Sequence, residues 1–317
     1  MVDVKMKKNL LNELKNFGIE FLENQDMSFY SSIKAGGRAD LIMFPKNEAE
    51  LVSIVNLTKT CLCGCRCYVI GGGTNTFFKE ERIFAPVISF KKFDASILKI
   101  SDISKKIEAG SETVLRAGAG VSTSKILNYA IKHNFGGCEF FYGIPGTVGG
   151  AVRMNAGSKE SVIENIVEAI DIITYDGIKS KIAKKDLKFS YRSIEIDGIE
   201  GNYFITAAYL KLYKTSESKV TENIQIFKKR KSGQPLGEFS LGCIFKNPDG
   251  ISAGKLIEEI GFKGFSAGGA RVSEKHANFI INEGGAKPSD IMFLIKNIEE
   301  KALISRGIKL NTEIKII

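Results

Sequence analysis

Two glycine-dense turns carry the most specific chemistry in this 317-residue chain. Tyr142-Gly143-Ile144-Pro145-Gly146-Thr147-Val148-Gly149-Gly150-Ala151 packs four glycines and a proline into ten positions. No helix or strand interior tolerates that density, so the segment reads as an ordered loop. Gly71-Gly72-Gly73-Thr74-Asn75, directly after the apolar run Cys67-Tyr68-Val69-Ile70, offers the same device. Glycine lets the main chain approach a ligand closely, and successive N–H groups in such a turn form a concave anion site. Two loops of this kind could grip the two phosphates of a dinucleotide. Neither is a Rossmann fingerprint: no G-x-G-x-x-G follows Gly71, Gly118-Ala119-Gly120 lacks the third glycine, and the P-loop pattern is absent. The alternative for these glycines is service in tight β-turns alone.

Other reactive side chains say less on their own. Cys61, Cys63, Cys65 and Cys67 alternate, while Cys138 and Cys243 stand alone. Alternate strand residues share a face, so the run could chelate a soft metal, but Cys-x-Cys without nearby histidine is not a zinc-finger pattern. It reads as reduced thiols of a reducing cytosol, with no metal. Arg192 alone reads as a surface arginine and Cys243 as a small buried apolar residue. In residues 308–316 the apolar set Ile308, Leu310, Ile314 and Ile316 faces one way, leaving Glu313 as a solvated strand carboxylate. His133 reads as structural.

The elements that must position these residues follow from spacing. Asn47 and Glu50 form a capping box, and Leu51, Ile54, Val55 and Thr58 predict a helix to about residue 60. Residues 67–70 predict a short buried strand, and 115–120 a strand and turn. Ser122 opens an amphipathic helix with Ile126, Leu127, Ala130 and Ile131 on one side. Residues 163–175 and 203–213 are β-rich, separated by turns such as Asp176-Gly177. The polar, lysine-rich stretch 214–237 reads as a connection between domains. A strand around Cys243 and a helix over 253–260 follow it. A helix over 289–305 then carries Ile291, Leu294, Ile295, Ile298 and Ala302 on one face, with Gly307 past its end.

Length predicts about two domains, or three small ones. With 44% apolar and 26% charged residues the chain is neither disordered nor fibrous. No apolar run reaches the ~20 residues of a membrane span, and the acids within the N-terminal pattern are unlike a signal peptide, so a cytoplasmic protein is expected. Residues 211–317 hold 18 basic and 12 acidic side chains, +6 of the net +9, which suits phosphate-bearing ligands. Lys228, Lys229, Arg230, Lys246 and Lys255 are the candidate phosphate contacts. A nucleic-acid binder using residues 228–231 competes, but aromatic residues are not interleaved there and no nucleic-acid motif is present. No long apolar stripe remains spare, so a monomer is expected.

Taken together the motifs resemble the UDP-N-acetylenolpyruvoylglucosamine reductase family, over nearly the whole chain. Ser32-Ile33-Lys34-Ala35-Gly36-Gly37-Arg38-Ala39-Asp40 is similar to its opening motif, and the two glycine loops, with Asn155-Ala156-Gly157 behind, to its FAD-gripping segments. Phe189-Ser190-Tyr191-Arg192-Ser193, Leu241-Gly242-Cys243-Ile244-Phe245-Lys246-Asn247-Pro248 and Ser273-Glu274-Lys275-His276-Ala277-Asn278-Phe279 resemble its later signatures. The short 214–237 connection resembles the family's second type. The resemblance implies an α+β fold, with a two-lobed FAD-binding region of the PCMH or vanillyl-alcohol-oxidase-like kind plus a C-terminal α+β substrate domain. The expected domains are 1–88, 89–213 and 214–317, the last binding substrate.

The resemblance also implies FAD as cofactor, NADPH as hydride donor and UDP-N-acetylglucosamine enolpyruvate as substrate. In the relay so implied, the flavin takes hydride from NADPH and passes it from N5 to the substrate's C3. Arg192 would hold the enolpyruvyl carboxylate, Cys243 protonate C2 and Glu313 assist. Cofactor contacts would come from Gly71, Gly72, Gly73, Thr74, Asn75, Gly143, Ile144, Pro145, Gly146, Thr147, Gly150 and Asn155, and substrate contacts from Tyr191, Lys246, Asn247 and His276. Most relatives are expected to carry serine at the proton-donor position. A thiol titrates near ~8.5, so Cys243 is a stronger acid than a hydroxyl yet mostly protonated at neutral pH. A related FAD-dependent oxidase of the same fold, acting on another substrate, is the second reading.

Overall fold

The computed structural model describes residues 4–61, 67–79, 82–102, 110–158, 160–199 and 203–317. Cys63 and Cys65 lie outside them, so the alternating cysteine run is only partly described. The chain divides into two compact units, the first formed by 1–22, 42–72 and 87–230, the second by 23–41, 73–86 and 231–317.

In the first unit, the helices Val4–Asn16 and Glu48–Cys61 pack together, with Leu10, Leu14, Leu51 and Ile54 fully buried. Half of the predicted capping box is present: Asn47 Oδ1 accepts from the Glu50 N–H at 3.0 Å, whereas Glu50 Oε2 reaches one residue further back and accepts from the Lys46 N–H at 2.9 Å. A parallel set follows, in which Ile42 and Met43 pair with the strand Val87–Ser89, itself paired with Tyr68–Ile70. Only Ile70 of that last strand is buried; Tyr68 and Val69 are exposed, so the expected buried strand is an exposed edge.

The same unit holds a six-stranded antiparallel sheet in the order Lys179–Ala183, Val167–Thr174, Tyr203–Lys214, Glu112–Gly118 and Ile97–Asp102, with Phe135–Gly136 also on Tyr203–Lys214. Its core joins Leu115, Ile170, Ala208 and Leu210 to Ile126, Leu127 and Ala130 of the helix Thr123–His133, which Ser122 caps as expected. Each leucine or isoleucine fully buried there contributes roughly 1.5–3 kcal/mol. The stretch expected to be a connection contains the helix Glu217–Arg230. Val220 is buried and Ile224 and Phe227 pack on this core, so three residues at spacings of four and three anchor an otherwise polar helix.

The second unit is built on the antiparallel order Ser240–Cys243, Phe279–Asn282, Ala270–Val272, Ser266–Ala267. Against it lie the helices Ala253–Glu259 and Pro288–Arg306. The longer helix buries Ile291, Leu294, Ile295, Ile298 and Ala302 and ends at Gly307 in the left-handed conformation, φ +66°. Residues 308–316 are not one strand: Lys315–Ile316 pairs in parallel with Thr76–Phe77, and Thr312 bridges Phe245. That short pairing sets the 73–75 turn beside residues 313–315.

Candidate active site

In the first unit Gly71 meets the 143–150 turn. A β-carbon on Gly71 would overlap the Thr147 hydroxyl and lie 3.5 Å from Thr147 Cβ, so Gly71 has room for main chain alone. The 143–150 turn is fixed from behind. Thr123 N–H donates to the Gly146 carbonyl at 3.1 Å, Val148 N–H to Val121 at 2.8 Å, and Gly149 N–H to Ala119 at 3.0 Å. Gly143 (φ +67°) and Gly146 (φ +127°) take conformations that L side chains rarely adopt. Thr147 Oγ1 caps the helix Val148–Arg153 by accepting from the Gly150 N–H at 3.3 Å.

Among the described residues no acceptor takes the N–H of Gly72, Gly146 or Thr147. In the second unit the same holds for Gly73, at φ +66° with the Tyr30 carbonyl filling the place of a side chain. Unclaimed main-chain donors in bends stripped of side chains fit a diphosphate.

Arg192 sits at the tip of a hairpin between the strands Leu187–Ser190 and Ser193–Ile196, whose register pairs Ser190 with Ser193 and leaves Tyr191-Arg192 as the two-residue loop. Arg192 is left-handed, φ +59°, where an L-residue other than glycine, asparagine or aspartate pays about 1–2 kcal/mol. A turn that would be cheaper with glycine carries a guanidinium instead, which points to a task for the charge. The guanidinium lies 5.1 Å from the half-exposed Tyr191 ring and donates from Nη2 to the Gly157 carbonyl at 3.5 Å. Asn155 does not offer its side chain outward: it is 5% exposed and bonded to Ser190 and Glu164.

Cys243 and Glu313 are both in the second unit. Ser240 pairs with Ile281 and Cys243 with Phe279, so three steps on one strand oppose two on the other. Gly242 at φ +76° absorbs the extra residue in a bulge, a device that re-aims the following side chain. Just beyond the half-buried Cys243, the Ile244 carbonyl accepts from the Glu313 N–H at 2.7 Å. The Glu313 carbonyl in turn accepts from Asn75 Nδ2 at 3.2 Å, and the Asn75 carbonyl from the Lys315 N–H at 2.9 Å. The residue after Cys243, Glu313 and the end of the first glycine turn are thus linked by hydrogen bonds through main-chain groups and the Asn75 amide.

The remaining expected residues are placed as follows. Lys246 N–H donates to Asn311 at 2.8 Å, and Asn247 Oδ1 accepts from Ala253 N–H at 2.9 Å, at the start of the helix Ala253–Glu259. The His276 ring packs against Gly254, where a β-carbon would come within 2.9 Å of Cε1. Burial holds its imidazole below the ordinary range, so it is neutral at pH 7, and Nδ1 accepts from the Asn278 N–H at 3.3 Å. Lys255 is exposed and pairs with Glu259 at 3.8 Å.

Two positioning residues were not singled out from sequence. Asn278, 2% exposed, brackets the residues after Cys243: Oδ1 accepts from Phe245 N–H at 2.9 Å and Nδ2 donates to the Phe245 carbonyl at 2.8 Å. Its signal was a lone amide entering the apolar run Phe279-Ile280-Ile281. Ser32 joins the opening motif to this strand, its Oγ donating to the Ser240 carbonyl at 2.6 Å and its N–H to Gly73 at 3.0 Å.

Residues 39–180 match the family described as FAD binding domain, and residues 234–317 the C-terminal domain of UDP-N-acetylenolpyruvoylglucosamine reductase. A UDP-N-acetylenolpyruvoylglucosamine reductase of Clostridium botulinum (strain Hall) is 36% identical over 317 residues, covering 97% of this chain and 98% of its own. One of Syntrophobacter fumaroxidans is 34% identical over 310 residues, covering 98% and 86%. The crystal structure of the reductase from Thermus caldophilus superposes with a TM-score of 0.75 at 26% identity, covering 94% of this chain and 98% of that one.

Proposed function

Because this chain belongs to the UDP-N-acetylenolpyruvoylglucosamine reductase family, FAD-dependent oxidoreductases of peptidoglycan precursor synthesis that use NADPH, we propose that it reduces UDP-N-acetylglucosamine enolpyruvate to UDP-N-acetylmuramate. The chemistry FAD supplies when bound is two-electron transfer from NADPH to the C3 carbon of the enolpyruvyl group. The main-chain N–H groups of Gly72, Gly146 and Thr147 would hold its diphosphate.

Arg192 binds the enolpyruvyl carboxylate through its guanidinium fork and neutralises the charge that spreads onto it as C3 gains a hydrogen. The electron pair left on C2 takes the Cys243 proton, and the thiolate is reprotonated from water. Glu313 assists this transfer or polarises the carboxylate, while Tyr191, Lys246, Asn247 and His276 contact the UDP-sugar. The protein works in the cytoplasm as a monomer, on no membrane and no nucleic acid.

The observation that carries this reading is the bulge at Gly242, which shifts the strand register just before Cys243, beside the segment holding Glu313. The test is colour. The expected outcome is a purified protein that is yellow, is bleached by NADPH anaerobically, and recovers its absorbance with the enolpyruvyl UDP-sugar alone. A bleached protein reoxidised by other acceptors but not by this substrate would instead be a related FAD oxidase. A colourless protein with steeply salt-dependent DNA affinity would be a nucleic-acid binder.

A further inference from the structure

We infer that Asn155 is a positioning residue for Arg192, setting affinity for the substrate carboxylate, and does not hold the cofactor with its side chain. This rests on the role given to Arg192 above. Asn155 is left-handed, φ +39°, and buried. Its Nδ2 donates to the Ser190 carbonyl at 3.1 Å and to Glu164 Oε2 at 3.2 Å, and its Oδ1 accepts from the Glu164 N–H at 3.3 Å. An asparagine amide makes about four hydrogen bonds, so at most one lone pair is left for anything else.

Ser190 is the last residue before the Tyr191-Arg192 tip. Two residues after Asn155, the Gly157 carbonyl accepts from the guanidinium itself. The 155–157 segment therefore grips the hairpin twice, at its base and at its charged end. Glu164 holds the amide at both its oxygen and its nitrogen, which fixes the way the amide faces. A carboxylate of the same shape at position 155 would turn a two-fold donor into an oxygen facing two oxygens and release the base of the hairpin.

The test is Asn155→Asp in the holoenzyme, read as flavin-to-protein ratio, rate of bleaching by NADPH, melting temperature, and KM and kcat for the enolpyruvyl UDP-sugar. Aspartate tolerates the left-handed backbone as asparagine does, which favours a folded variant. The expected result is a KM raised about ten-fold with kcat, flavin content and bleaching rate within about two-fold of the parent. Arg192→Lys raises KM as well, and the two changes combined fall short of the product of their separate effects.

Loss of flavin, or slowed bleaching, in Asn155→Asp overturns the inference in favour of a cofactor contact. So does an unchanged KM, or effects that multiply. An unchanged KM in Arg192→Lys overturns the role of Arg192 itself, and is told apart because it appears without any change at residue 155. Should Asn155→Asp fail to fold, Glu164→Ala removes one partner of the amide. It raises KM about two- to five-fold with unchanged flavin content if the inference holds, and leaves KM unchanged if it does not.

Discussion

The place that a β-carbon would occupy on Gly71 overlaps the side-chain oxygen of Thr147 and lies 3.5 Å from Thr147 Cβ, so Gly71 and the 143–150 turn of the first unit are in contact with no side chain to spare. Gly71→Ala drives them apart, an overpacking cost of about 1–3 kcal/mol. Flavin retention through gel filtration falls, with Kd for FAD rising about ten-fold or more. Thr147→Ala costs about 1 kcal/mol on its own by removing a helix cap. Combined with Gly71→Ala it restores part of the lost affinity, because the overlapping oxygen is gone. Strictly additive losses in flavin titrations of the two variants and their combination would show that the contact does not govern binding.

Cys243 is half-buried at the bulge, whereas Cys138 is fully buried, where burial pushes its thiol far above the ordinary range. Alkylation of the folded, reduced protein therefore modifies Cys243 and spares Cys138, and turnover falls with modification at Cys243 as mapped by peptide mass. Cys243→Ala lowers kcat about 10²- to 10⁴-fold while leaving NADPH bleaching intact, and Cys243→Ser keeps a proton donor and much of the rate. Full turnover with a mass-confirmed adduct on Cys243 would remove it from the chemistry.

What could be read from sequence was local chemistry. The glycine turns were legible because four glycines in ten residues leave few conformations, and the helix after Asn47 because its cap lies within four residues. Four features were not legible, each for a tertiary reason. The helix Glu217–Arg230 shows only Val220, Ile224 and Phe227 as anchors in a lysine-rich stretch, and the core they meet is far away in sequence. Leu241-Gly242-Cys243 reads as plain strand, since a bulge is defined by its partner, here residues 279–281. Residues 308–316 alternate like a strand, but the partner Thr76–Phe77 is two residues long, so only Lys315–Ile316 pairs with it. The left-handed Arg192 is likewise invisible until the register from Ser190 to Ser193 is known.

Asp94 accepts hydrogen bonds from the Ser96 hydroxyl and from Arg116 Nη1 at 2.8 Å, beside a second pair from Arg116 to Asp171 at 3.3 Å. Burial alone would raise the Asp94 carboxyl, but these bonds outweigh it and hold the group below its ordinary range. The folded state then releases this proton more readily than the unfolded chain. Its stabilisation is complete above the ordinary carboxyl value of about 3.9 and is lost as pH falls through the lower folded value. Asp94 is left-handed, φ +28°, and asparagine tolerates that backbone equally. Asp94→Asn should destabilise by about 1 kcal/mol at pH 7, a figure discounted for partial exposure, and the gap in melting temperature should narrow as pH falls below the ordinary carboxyl value of about 3.9. A gap that persisted in acid would assign the effect to packing.

Arg192 supplies the sharpest separation of stability from activity. Its φ of +59° is a conformation in which glycine is unstrained, so Arg192→Gly relieves about 1 kcal/mol in the folded hairpin. Part of that gain is offset by the greater freedom of glycine in the unfolded chain. The same change removes the guanidinium, its bond to Gly157 and its charge. The expected outcome is a melting temperature equal to or above that of the parent, unchanged flavin content, and kcat/KM for the enolpyruvyl UDP-sugar reduced at least about 100-fold, as loss of a charge-assisted bidentate contact predicts. Differential scanning calorimetry and steady-state kinetics on one preparation decide it. A destabilised variant with near-parent kinetics would mean that the left-handed arginine serves the hairpin and not the substrate.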